Sequence, residues 1–312
     1  MPKVWWIEPL DRTWQVGKKM LEENGCEVFL GRFHSEAGKP YSEEEIIELG
    51  KDVNAILLIA REKITAKVLE ELPKLSVIVK AGVGVDNIDV EAATRFGILV
   101  ANTPVPADYI GVAEGAVARI LALAKRLSAC DRSVKQGLWL RNYDDVRGVY
   151  LRGKTLGIVG LGRIGSYVAK VMSSFGVKVL AYDPYVSKDK ALLVDASLVD
   201  LDTLLSESDF VTLHAVLTPE TKKMIGASQL RMMKKSAYLI NTARGALVDE
   251  QALYKALREG WIAGAALDVF EEEPTQTQFS PPITGDSGQG HTFATRSWSN
   301  PRNGARSNAG TS

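Results

Sequence analysis

A glycine-rich stretch, Thr155-Leu-Gly-Ile-Val-Gly-Leu-Gly-Arg-Ile-Gly165, is followed eighteen residues later by the acid that closes Val179-Leu-Ala-Tyr-Asp183. These residue types at this spacing can hold a diphosphate and a ribose. Gly160 permits a tight turn out of an apolar strand, Gly162 lets backbone reach a pyrophosphate, and Gly165 lets the next helix lie close on that strand. A helix starting near Arg163 presents unpaired N–H groups and a positive dipole end to the phosphates. Asp183 stands where a carboxylate can accept both ribose hydroxyls and repel a 2′-phosphate, which favours NAD over NADP.

Two further stretches could hold a small acid. Asn241-Thr-Ala-Arg244-Gly245 follows an apolar run, so Arg244 falls at the carboxyl end of a sheet, where open α/β folds bind ligands. Its guanidinium can grip a carboxylate in a bidentate fork, and Gly245 suits close approach of a ligand. Lys80-Ala-Gly-Val-Gly84-Val-Asp86-Asn87-Ile-Asp89 is a strand that breaks into glycines. The backbone N–H groups of Val83 and Gly84 could hold a carboxylate there, with Lys80 adding charge. The same stretch also reads as a turn in which Asp86 or Asn87 caps a helix at Val90-Glu-Ala-Ala93.

The elements that position these residues follow from periodicity. Short apolar runs at Val4–Ile7, Glu27–Leu30, Ala55–Ile59, Ser76–Val79 and Ile98–Val100 alternate with helical patterns, the signature of a parallel sheet wrapped by helices. Ser42 with Glu45 makes a capping box ahead of Ile46-Ile47, and Thr65 is an N-cap ahead of Val68-Leu69. A long helical pattern runs from Thr103-Pro104 to Lys125. The alternation then resumes at Leu156–Val159, Lys178–Ala181, Phe210–Leu213, Ala237–Ile240 and Ile262–Leu267, making one Rossmann half and most of its mate. The fold class is therefore α/β with two doubly wound parallel-sheet domains, the second a Rossmann NAD-binding domain. The boundaries are 1–101 for a substrate domain of flavodoxin-like type, 102–274 for the NAD-binding domain and 275–312 for an irregular tail.

With 38 basic and 38 acidic residues in 312, 46% hydrophobic and 24% charged, the chain has no basic stripe to recommend nucleic acid or an anionic membrane. A small-molecule partner fits this balance. Cys26 and Cys130 show no metal-ligand spacing and read as reduced core thiols. No window approaches a membrane span, so a cytoplasmic location and no metal are the expectations.

Residues 1 to about 274 resemble the D-2-hydroxyacid dehydrogenase family, close to its D-3-phosphoglycerate dehydrogenase branch. The resemblance is carried by Lys80–Asp89, Gly157–Gly165, Ser208–His214 with Leu217–Thr221, and Ile240–Asp249 with Gly264–Pro274. It implies an oxidoreductase moving a hydride between nicotinamide and a 2-hydroxy or 2-oxo acid, with Arg244 on the substrate and Glu273 paired with a catalytic histidine. It also implies cofactor contacts from Thr103, Arg163, Ile164, Asp183, Thr242 and Asp268, and a homodimer. Lys80 falls where the phosphoglycerate branch usually has Arg, so it offers a point charge without the fork. In the helix from Ile110 to Lys125, Val112, Ala116, Ile120 and Leu123 form an apolar stripe that suits either a dimer contact or a core face.

The family's histidine block, a Pro-His-x-Gly some twenty residues beyond the Glu, has no equivalent here. Ser280-Pro281-Pro282-Ile283-Thr284-Gly285 has its outline, with proline where the imidazole would be. His291 lies at a tolerable distance along the chain, but Gly288-Gln-Gly-His-Thr predicts no strand to fix it. His214 and His34 read as satisfied structural imidazoles. From Thr275 to Ser312, 23 of 38 residues are Gly, Ser, Thr, Asn or Pro without helical or strand period. This abrupt change reads as a truncation, a splice form or a frameshift. Two functions follow: an NAD-dependent dehydrogenase impaired in proton transfer, or a non-catalytic NAD-binding sensor resembling a corepressor.

Overall fold

The structure is a computed structural model. It describes residues 1–9, 14–33, 40–59, 61–139 and 147–272, and the backbone of 291–294. The chain divides into two compact units, Met1–Asp108 and Tyr109–Ser312. The expected junction at Asn102 is instead the last residue of a strand in the first unit.

The first unit is a parallel sheet of β1 (Lys3–Trp6), β2 (Glu27–Leu30), β3 (Ala55–Leu58), β4 (Val77–Lys80) and β5 (Leu99–Asn102), in the order β2-β1-β3-β4-β5. This is one of the two common doubly wound orders. Its helices are α1 (Trp14–Glu23), α2 (Glu43–Gly50), α3 (Ala66–Glu70) and α4 (Val90–Arg95). Trp5, Ile46, Ile56, Val68 and Ile78 belong to one core cluster. The Ser42–Glu45 capping box is present, and Thr65 accepts from the Val68 N–H. The cap of α4 is neither Asp86 nor Asn87 but Asp89, which accepts from the Ala92 N–H. Asn87 instead donates to the Glu62 carbonyl at 2.8 Å, tying the loop after β4 to the loop after β3.

The division between units falls inside α5 (Pro106–Ala124), which α6 (Leu127–Lys135) follows. The second sheet contains β6 (Thr155–Val159), β7 (Lys178–Tyr182), β8 (Ala196–Leu198), β9 (Phe210–Leu213), β10 (Tyr238–Asn241), β11 (Gly264–Leu267) and β12 (His291–Ala294). Its helices are α7 (Arg163–Ser173), α8 (Lys188–Leu192), α9 (Leu201–Glu207), α10 (Ala227–Met232) and α11 (Glu250–Arg258). The order is β12-β11-β10-β9-β6-β7-β8, all parallel. Successive residues serve opposite faces: Ile158, Ile240 and Ala266 join one core cluster while Val159, Leu239 and Ala265 join the other. Burial on both faces explains why these strands read as continuous apolar runs.

Two strands were absent from the sequence reading. β8 is short and carries a serine, and β12 lies in the segment expected to be irregular. β12 pairs with β11 in the register His291↔Gly264 to Ala294↔Leu267. The stripe on α5 also resolves: Ala116, Ile120 and Leu123 are fully buried in the second unit's own core, and Val112 is half-buried. Both cysteines are free and half-buried rather than core residues. Among the described residues, no helix is long and apolar enough to cross a membrane.

Candidate cofactor and acid-binding site

Strand order in the second sheet reverses between β6 and β9, the switch point where such sheets bind ligands beyond their carboxyl ends. Gly160 follows β6 with φ +92°, and a Cβ there would meet Ala215 N and His214 C at 2.7 Å. Only glycine satisfies both demands. A Cβ on Gly165 would run into the Gly160 carbonyl and stand 3.1 Å from Ile158, so the helix does lie tight on the strand. At Gly162 a Cβ would meet nothing within 4 Å, which leaves open space at the start of α7. Gly162 is also the N-cap and supplies no capping side chain, so the first-turn amides of α7 have no resident side-chain acceptor, the arrangement that suits an anion. Arg163 beside it is exposed, its guanidinium 5.9 Å from the Tyr109 ring centroid, while Ile164 packs on the core.

Asp183 stands just past β7. Its Oδ2 accepts from the Leu161 N–H at 2.8 Å and its Oδ1 from the Tyr185 N–H at 2.9 Å. These bonds hold the carboxylate beside the glycine turn, and each oxygen keeps a further lone pair for a hydroxyl donor.

Val159, Leu213, Asn241 and Leu267 are register partners, so Gly160, His214, Thr242 and Asp268 follow them in one row along the crest of the sheet. Thr242 is 7% exposed and its Oγ1 has no hydrogen-bond partner. An orphaned buried hydroxyl costs free energy unless a ligand or water completes it. His214 is less satisfied than the sequence reading held: Nε2 lies 3.0 Å from Thr212 Oγ1, but Nδ1 is buried without a partner. Burial pulls this imidazole down to about 3. Asp268 is ion-paired with Arg119 of α5, and its N–H donates to the Asn241 carbonyl at 2.9 Å.

Arg244 is presented by a loop that Asn241 builds. The buried Asn241 donates from Nδ2 to the Arg244 carbonyl at 2.8 Å and accepts from the Ala243 N–H at 3.0 Å. Arg244 Nη1 donates to the Ala243 carbonyl at 2.7 Å. Gly245 is required for a reason other than ligand approach: a Cβ there would collide with the backbone of Phe270 and Glu271. Sequence reasoning missed Asn241 and Arg119. A polar residue closing a fully apolar strand, and an arginine on the buried phase of α5, were the available signals.

In the first unit, Lys80 is 7% exposed and donates from Nζ to the Ala81 carbonyl at 2.9 Å. Thr103 belongs to this unit, and its Oγ1 accepts from the Gly82 N–H at 2.9 Å. Asn102 Nδ2 holds the Val83 carbonyl at 2.7 Å. Among the described residues, no hydrogen bond takes the N–H of Val83 or of Gly84. In the same unit, Glu8 and Glu62 are both fully buried, with Arg61 Nε donating to Glu8 Oε1 at 2.6 Å. Burial, with Glu8 facing it, pushes Glu62 up to about 7. Glu273, His34 and the Ser280–Gly285 segment lie outside the described residues.

Residues 117–284 match the model of the D-isomer specific 2-hydroxyacid dehydrogenase NAD-binding domain. The chain belongs to this family. It is 47% identical to a glyoxylate reductase of Thermofilum pendens, over 83% of this chain and 76% of that protein. It is 46% identical to a D-3-phosphoglycerate dehydrogenase of Methanocaldococcus jannaschii, over 86% of this chain but 49% of the relative. The chain thus spans about half the length of the phosphoglycerate dehydrogenases it matches, with 42% and 46% of two others covered. A crystal structure of Aquifex aeolicus D-lactate dehydrogenase complexed with NAD and lactic acid superposes with a TM-score of 0.78, at 30% identity, covering 93% of this chain and 87% of that one. The glycine turn, the open amino end of α7, Asp183 and the orphaned Thr242 hydroxyl fit the dinucleotide that names the family's domain.

Proposed function

We propose that this chain binds NAD along the crest of the second sheet and serves hydride exchange between nicotinamide and a small 2-hydroxy or 2-oxo acid. The observation that carries this reading is the buried, partnerless Thr242 hydroxyl in a row with Gly160, His214 and Asp268. The amides of Arg163, Ile164 and Gly165 hold the diphosphate, and Asp183 takes the ribose hydroxyls. Nicotinamide supplies the hydride chemistry when bound. The Arg244 guanidinium of the second unit is assigned to the acid, and Lys80 with the Val83 and Gly84 amides is the first unit's own candidate for holding an anion. Glu273 is assigned to orienting a base, as the family resemblance implies.

The register of β12 sets the His291 backbone at the end of the sheet opposite to the crest, which supports a reading in which it is not that base. Proton transfer then falls to water, and turnover drops by roughly a hundred- to ten-thousand-fold while NAD affinity survives. The same observation favours a second reading, a non-catalytic NAD-binding sensor. We assign the chain to a homodimer through the exposed Leu127, Val134, Leu138 and Trp139 in and after α6, the last 80% exposed. Sedimentation of Trp139→Glu beside the native chain tests this assignment, since a charge there must split a dimer built on it.

An NADH fluorescence titration beside turnover assays with glyoxylate, pyruvate and 3-phosphoglycerate tests the main reading. Binding with turnover supports the dehydrogenase, and binding without turnover the sensor. Absence of NADH binding removes both.

A further inference from the structure

We propose that Arg119 is a positioning residue for the nicotinamide half of the cofactor site, fixing the Asp268 carboxylate at the crest of β11. The proposal rests on the NAD reading above and adds to it a residue outside the crest.

Arg119 lies on the face of α5 that carries Ala113, Ala116, Ile120 and Leu123, all fully buried, and is itself only 5% exposed. A guanidinium among alanines and aliphatic side chains is costly to desolvate, and an apolar residue of similar volume would pack there at no such cost. Burial pulls its pKa down, and Asp268 beside it counters the effect. Stability alone therefore gives no reason for an arginine at this phase of the helix. Its bonds are directional: Nη1 donates to the Gly115 carbonyl at 2.9 Å, and Nη2 donates to Asp268 Oδ1. One end of the fork is thus anchored in α5 and the other holds a crest carboxylate.

Asp268 is held through its backbone as well, because its N–H donates to the Asn241 carbonyl, and Asn241 in turn holds the Arg244 carbonyl. A continuous chain of hydrogen bonds runs from Arg119 through Asp268 and Asn241 to Arg244. The sheet indicates which part of the cofactor this chain serves. Asp183 and the glycine turn occupy β7 and β6, whereas Asp268 stands three strands from β6, about 14 Å across the sheet. In a fold of two mononucleotide halves, that distance places it with the nicotinamide nucleotide and away from adenosine.

Calorimetric titration with NADH and with ADP-ribose tests the proposal, since ADP-ribose keeps the adenosine and diphosphate and lacks nicotinamide. Arg119→Met should weaken NADH about tenfold, the factor carried by one charge-assisted hydrogen bond, and leave ADP-ribose within about twofold of the native value. Asp268→Asn should reproduce the NADH-selective loss, and Arg119→Lys should recover part of it. Equal losses for both ligands would mean a structural role and overturn the proposal, as would an unchanged NADH affinity. Should Arg119→Met fail to fold, Asp268→Asn and Arg119→Lys decide by the same comparison. A native chain that binds neither ligand refutes the NAD reading itself, whereas a native chain that binds NADH and variants that do not differ from it refute only the role of Arg119.

Discussion

His291 is the register partner of Gly264, the first residue of β11, whereas Asp268 lies one residue past the strand's other end. The four residue steps from Gly264 to Asp268 span about 13 Å of sheet. A base must come within hydrogen-bond reach of the proton it takes, so His291 enters the sheet too far from the crest to act there. Any turnover found in the native chain should persist in His291→Gln within about twofold, where a working base would cost at least a hundredfold. A hundredfold loss in that variant would contradict the register.

Under the proposed NAD reading, the bond from the Leu161 N–H to Asp183 couples recognition of the ribose to the glycine turn. Asp183→Ala should weaken NADH about tenfold or more, because charge-assisted bonds to the ribose are lost together with the anchor of the turn. Repulsion of a 2′-phosphate disappears in the same variant, so the ratio of NADH to NADPH affinity should fall. Parallel fluorescence titrations measure both changes, and an unaltered ratio would separate Asp183 from cofactor choice.

Glu62 and His214 have shifted pKa values of opposite sign, in different units. For Glu62 the folded value of about 7 lies above the ordinary 4.5, so its contribution is full below pH 4.5 and is lost as pH rises through 7. The loss is on the order of 3 kcal/mol at most. For His214 the folded value of about 3 lies below 6.5, so its contribution is full above pH 6.5 and is lost as pH falls toward 3. Urea unfolding from pH 5 to 8 should show the first unit weakening as pH rises and the second weakening as pH falls. Glu62→Gln should flatten the first slope and His214→Asn the second.

The strands around the crest were legible because burial on both faces leaves a run such as Leu156–Val159 no polar interruption. Caps were legible where a single side chain decides them, as at Ser42 and Thr65. The cap of α4 was misread because Asp86, Asn87 and Asp89 are all capping types, and only the path of the loop selects Asp89. β12 was invisible for another reason: an edge strand of four residues is held by backbone bonds that leave no pattern in Gly- and Ser-rich sequence. Of the candidate site, the tight turn at Gly160, the open space at Gly162, the close packing at Gly165 and the place of Asp183 just past β7 could be read from spacing. Arg119 could not, because its partner Asp268 lies 149 residues away.

Gly245 and Gly162 should separate folding from binding. At Gly245 an added Cβ strikes the backbone of Phe270 and Glu271, which cannot rotate aside like a side chain. Gly245→Ala should therefore destabilise the second unit by about 2 kcal/mol, in the range seen for overpacking, and displace the neighbouring Arg244. At Gly162 the added methyl meets nothing within 4 Å of protein, so the fold should tolerate it. The proposed function brings the diphosphate to α7 through that open space, so Gly162→Ala should lower NADH affinity while urea unfolding stays within about 0.5 kcal/mol of the native curve. If Gly162→Ala instead unfolds early, or binds NADH as the native chain does, the open amino end of α7 is not the diphosphate site.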